Sequence, residues 1–138
     1  MKGKREMAYF LNNNFKNNEF ELIAKEKYFV DKTDLIDKIN KQVNMKERFI
    51  CITRPRRFGK TINAMMLASY YSKTANFKHL FDKLQIAQSD SYLEHLHKHN
   101  VIYITWSDPT IEYKNFSEYM KGFVPRLVSE LKEKWHIF

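Results

Sequence analysis

Phe49-Ile-Cys-Ile-Thr-Arg-Pro-Arg-Arg-Phe-Gly-Lys-Thr61 joins two local signals across a basic turn. Phe49–Thr53 is a short apolar, β-prone run, and such a run reads as a strand buried on both faces. Pro55 cannot continue a central strand, so the run stops there. From Lys60 to Ser72 the chain reads as helix, with Ile62, Met65, Met66, Ser69 and Tyr70 towards one side. A phosphate-binding loop needs this order: a strand that ends abruptly, inward-turned backbone N–H groups, then a helix N-terminus aimed at the anion. Lys60 would reach the β- and γ-phosphates, and the Thr61 hydroxyl would hold Mg2+. Gly59 lacks a Cβ, so the backbone there can approach a phosphate closely. Against the pattern G-x-x-x-x-G-K-[ST], however, Arg54 stands where the first glycine belongs. The residues alone leave two readings open, a phosphate loop and a basic surface turn.

Upstream, residues 1–27 form an Asn-rich lead-in with interleaved aromatics, irregular except for one short helix. The segment Tyr28–Val43 follows, with Thr33 placed as an N-cap and Leu35, Ile36, Ile39 and Val43 at helical spacing. Downstream, Phe77, Leu80, Phe81 and Leu84 repeat at i, i+3, i+4 and i+7. A short helix then begins near Ser89 or Ser91. Val101–Trp106 is the second strand, closed by Ser107-Asp108-Pro109. The last stretch is amphipathic, with Phe116, Tyr119, Met120, Phe123, Leu127, Leu131 and Trp135 as its stripe, and Pro125 is expected to kink or split it. Strands separated by helices imply a parallel α/β layer. Two strands do not complete one: either the chain pairs them with something else, or it is the front section of a larger domain.

The chain has 138 residues, 24 Lys+Arg against 16 Asp+Glu, and a net charge of +8. The length suits one domain. The surplus points to an anionic partner, and the Arg54, Arg56, Arg57 and Lys60 cluster is where to seek it. A single cysteine excludes an internal disulfide; Cys51 reads as a small buried strand residue, and a cytoplasmic setting follows. No segment approaches the length of a membrane span, so no membrane partner is expected. His95, His97 and His99 lie close in sequence, and His95 and His99 share a helical i, i+4 spacing; surface histidines are the favoured reading over a zinc site.

The run Ile52–Thr61 with its Met-rich helix resembles the predicted AAA-ATPase-like proteins of bacteria. So do Tyr28–Ile36 (YFVDKTDLI), Leu80–Ile86 and Asn100–Asp108. The resemblance covers about residues 19–120 and implies that residues 28–138 are the N-terminal portion of an incomplete, truncated domain of that kind. It implies a P-loop NTPase-like α/β fold with a partial parallel sheet flanked by helices, and binding of ATP with Mg2+ through a variant Walker A loop. Arg54, Pro55, Arg56, Arg57, Phe58, Gly59, Lys60 and Thr61 would form that nucleotide-binding loop. Tyr28, Asp31, Lys32 and Thr33 would contact base or ribose, or else serve structure through a helix cap and an ion pair. The family's later run of apolar residues ending in acids is missing, and Asp108 is the nearest substitute. Hydrolysis is therefore not expected of this chain alone, and whether it is an enzyme stays open. The expected partners are a nucleotide and a C-terminal nuclease-like domain or partner segment. The alternative function is a basic nucleic-acid-binding module built on Arg54–Lys60.

Overall fold

The computed structural model describes residues 9–106 and 113–135; Asp108 and the turn at Pro109 lie outside them. Among the described residues six helices run in chain order: α1 (Asn14–Ala24), α2 (Asp34–Asn40), α3 (Lys60–Tyr71), α4 (Lys78–Phe81), α5 (Tyr92–His95) and α6 (Phe116–Trp135). A 3-10 turn, Gln85–Gln88, lies between α4 and α5.

The expected α/β sheet is absent among the described residues. What exists is two isolated bridges, Leu11 with Ile102 antiparallel and Ser72 with His99 parallel. Phe49–Thr53 forms no strand and is exposed along its whole length, Phe49 by 84%. A strand is defined by its neighbour, because each extended residue must place its N–H and C=O on another chain segment. The run has the side chains of a buried strand without a partner to bury them. Cys51, expected inside, is free and exposed.

The core is helical. Met65, Met66, Ala68, Ser69 and Tyr70 are buried along α3, on the face read from the sequence. α1 packs against α3 and contributes Phe20, whose ring stacks on Phe81 at 5.8 Å. Tyr70 meets Phe81 edge-on at 5.5 Å. Ile36, Phe77, Leu80, Ile86, Tyr92 and Leu96 close this cluster. Fully burying side chains of this size stabilises by roughly 1.5–3 kcal/mol each.

Polar bonds tie the helices together. Asn40, at the end of α2, donates to the Tyr70 hydroxyl (3.1 Å) and the Ser91 hydroxyl (3.0 Å), and accepts from the Tyr71 hydroxyl (2.6 Å). Asp37 accepts from the Ser89 and Ser91 hydroxyls and from Lys41. α6 runs unbroken through Pro125, so the expected split does not occur. It is held by Phe123, 7% exposed and against Phe10, and by Glu130. The Glu130 carboxylate accepts the backbone N–H groups of Tyr9, Phe10 and Leu11 at 2.6–3.2 Å. The far side of the Phe10–Asn12 segment bonds to Val101–Tyr103 through Asn12 N–H to Val101 O and Tyr103 N–H to Phe10 O.

Candidate functional site

Arg57 and Gly59 both take left-handed backbone conformations, with φ of 66° and 81°. The turn they make brings the chain into α3 with Gly59 at the N-cap position, where its carbonyl accepts the Asn63 N–H at 2.9 Å. Lys60 is exposed, but its ammonium is bonded to its own loop. It donates to the carbonyls of Arg54 and Pro55, the latter at 3.1 Å. Lys32 donates to the Phe58 carbonyl at 3.4 Å. The two lysines thus sit on the loop's own carbonyl oxygens. Thr61 is exposed in the first turn of α3, and Arg54 and Arg56 are exposed without an ion pair among the described residues.

This geometry overturns the expected ATP and Mg2+ site. A phosphate loop works because a strand, anchored in a sheet, holds the turn rigidly above a helix N-terminus. Phe49–Thr53 has no such anchor, and the Lys60 charge is already engaged by carbonyls. The residues present therefore do not fit a nucleotide with its metal, and neither the P-loop NTPase-like fold nor the Walker A reading stands. The partners expected through that reading, a nucleotide and a nuclease-like domain completing an ATPase, lose their basis with it. The nucleic-acid alternative fails separately: Lys60 turns back into its loop, Arg57 turns into a groove, and no basic cluster gathers the four cations.

The groove is the one into which Arg57, Phe58 and Gly59 open, with a volume of about 320 Å³. Lys32, Arg57 and Glu26 line it together with the apolar Phe20, Phe29 and Met66. Tyr28 lies at its edge, 85% exposed, with the Lys27 ammonium 5.4 Å above its ring.

Asp31 and Thr33 are tied into the fold by hydrogen bonds, with neither the helix-cap bond nor, among the described residues, the ion pair expected of them. One Asp31 carboxylate oxygen accepts the Thr33 N–H (2.9 Å) and hydroxyl (2.7 Å); the other accepts the Gln85 N–H at 2.7 Å. The Thr33 hydroxyl in turn accepts the Ile86 N–H at 3.0 Å. Thr33 occupies the N-cap position of α2 but makes no side-chain cap bond; its oxygen is spent on the 3-10 turn instead. These contacts span some fifty residues of sequence, and no local spacing announces them.

The histidines also differ from expectation. α5 ends at His95, so His95 and His99 do not share a helix, and His95 is buried rather than on a surface. Their rings nonetheless meet, Nδ1 of His95 to Nε2 of His99 at 3.0 Å. No group of three or more metal-ligating side chains exists among the described residues. None of their helices is long and apolar enough to cross a membrane.

A family model described as predicted AAA-ATPase matches residues 14–137. No curated protein and no solved structure matches the chain.

Proposed function

Given that the chain belongs to the predicted AAA-ATPase family but lacks a sheet among its described residues, we propose that it works as a protein-interaction module. Its docking element is the run Phe49–Thr53, which takes a strand from another protein. The carrying observation is that this β-prone run lies outside any helix, strand or turn and is exposed, with Phe49, Ile50 and Ile52 at 84%, 42% and 36% exposure. None of its backbone groups has a hydrogen-bond partner among the described residues. Main-chain bonds supply affinity in strand addition, and alternate side chains supply selection.

The charge pattern names the partner's chemistry. Lys46, Arg48, Arg54, Arg56 and Arg57 flank the run, against the single carboxylate of Glu47. Antiparallel pairing of two copies about Cys51 would set Arg48 opposite Arg54, and like charges directly opposite are destabilising. The occupant is therefore a β-prone apolar segment flanked by Asp or Glu. The groove beside Arg57 and Phe58 would receive an apolar side chain from the same segment. Arg54, Arg56 and Arg57 become binding residues for carboxylates. A cytoplasmic setting belongs to this reading, supported by one free, exposed cysteine.

Cys51 supplies the test. A synthetic β-prone peptide with Glu at both ends should slow alkylation of Cys51, and its Lys-flanked twin should not. Ile52→Pro, which removes one N–H from the run, should abolish the protection. Equal alkylation rates with both peptides and without peptide would overturn the proposal.

A further inference from the structure

Beyond α5 the chain turns back through His97, whose φ is 57°, and lies along the end of α3. The His97 N–H donates to the Tyr70 carbonyl and the His99 N–H to the Tyr71 carbonyl, both at 2.8 Å; the Lys73 N–H returns to the His99 carbonyl at 2.8 Å. The segment thus satisfies carbonyls that the last turn of a helix leaves open. Three residues further on, the same strand of chain pairs with Phe10–Asn12. The fastening is therefore a joint between α3 and the layer that carries the N-terminal segment and α6.

Three imidazoles sit at this joint. The 3.0 Å contact between His95 Nδ1 and His99 Nε2 has room for one proton, with one ring donating and the other accepting. A second proton would set N–H against N–H, with two positive charges in contact. Both rings lie against Tyr71, at 5.5 Å from His99 and 6.4 Å from His95. The Tyr71 hydroxyl is committed to Asn40, so it offers no relief. Glu94, mostly exposed, reaches His95 Nε2 only at 3.5 Å. Lys98, beside the pair, adds positive charge and donates to the Leu93 carbonyl. His97 Nε2 is buried without a hydrogen-bond partner among the described residues.

We propose that the His95–His99 pair, with His97, is an acid-sensitive latch: it holds the segment Leu96–Tyr103 on the end of α3 while at most one proton is shared, and releases it when the second imidazole charges. Burial holds His97 and His99 below the usual histidine range, and for His99 the neighbouring His95 and Lys98 add to this. The sign follows. A histidine kept neutral by folding stabilises above its unfolded value near 6.5, and that contribution is lost as pH falls through the lower folded value.

Hydrogen exchange on the whole chain tests the latch. After correction for intrinsic rates, the amides of His97, His99 and Lys73 should open about tenfold more at pH 5.5 than at pH 7.5, the factor one withheld protonation gives over one pH unit. Amides inside α3, such as Met66 and Ala68, should keep their protection. His99→Gln retains a polar group but not the second charge, and should flatten the pH response of the joint. Should that variant not fold, the imidazole resonances of the unaltered chain serve instead, and those of His97 and His99 should titrate below the ordinary histidine range. Unchanged protection between the two pH values, or equal loss throughout α3, would overturn the proposal.

Discussion

The Asn40 side chain accepts the Tyr71 hydroxyl at 2.6 Å, joining the end of α2 to the end of α3 inside the molecule. The same amide donates to Tyr70, whose hydroxyl continues to the Tyr92 carbonyl at 2.6 Å. Asn40→Ala would take the acceptor from the Tyr71 hydroxyl and a donor from the Tyr70 hydroxyl, which keeps its bond to the Tyr92 carbonyl; an unsatisfied group of this kind costs roughly 1–3 kcal/mol. Tyr71→Phe removes only the donor and should cost about 1 kcal/mol. Urea unfolding of the two variants should preserve that order; a Tyr71→Phe loss as large as that of Asn40→Ala would contradict the shared-amide arrangement.

Glu130 is the corresponding joint for α6. Glu130→Ala should destabilise by about 1–3 kcal/mol, since charge-assisted bonds to three backbone N–H groups are replaced by water. Glu130→Gln keeps an acceptor of similar reach and should lose less. Guanidinium midpoints for the pair check this.

At Gly59 the backbone, not space, sets the constraint. An added Cβ would meet only the Lys32 ammonium at 3.4 Å, but φ is 81°. Gly59→Ala should cost about 1–2 kcal/mol from the left-handed conformation, and Gly59→Asn, which tolerates that region better, should cost less. Thermal melting of both variants separates backbone strain from crowding. Equal losses would mean that the side chain, not φ, is resisted.

Hydrogen bonds from Lys41, Ser89 and Ser91 hold the Asp37 carboxyl at about 2, below its ordinary 3.8. A depressed carboxylate stabilises fully above its unfolded value, and this is lost as pH falls through the folded one. The melting temperatures of the unaltered chain and Asp37→Asn should therefore converge between pH 5 and pH 2. Added salt should screen only the share from exposed Lys41, leaving the serine share in place.

Helix positions were legible because periodicity is a property of one segment. Met65, Met66, Ser69 and Tyr70, and Phe77, Leu80 and Phe81, are buried as their spacing indicates. The strands were not, because apolar β-prone residues state what a segment could pair with, not that a neighbour exists. Phe49–Thr53 carries the composition without the ladder. At the loop, the order of Gly59, Lys60 and Thr61 was visible, but the direction of the Lys60 ammonium is set by the carbonyls of Arg54 and Pro55. Asp31 and Thr33 were singled out for the segment they share, and their structural use came from Gln85 and Ile86, some fifty residues away.

The Glu130 clamp has a consequence for how the molecule is made. Its carboxylate lies 119–121 residues after the N–H groups it holds. At synthesis rates of about 5–20 residues per second, Tyr9, Phe10 and Leu11 wait roughly 6–24 s for the acceptor that fixes them. During that interval α1 and α3 can already close over Phe20, while the N–H groups of Tyr9, Phe10 and Leu11 still lack the carboxylate that holds them. The helical core and the α6 layer are therefore separated in time as well as in space. A nascent chain halted between the two would hold a finished interior and an unfastened end.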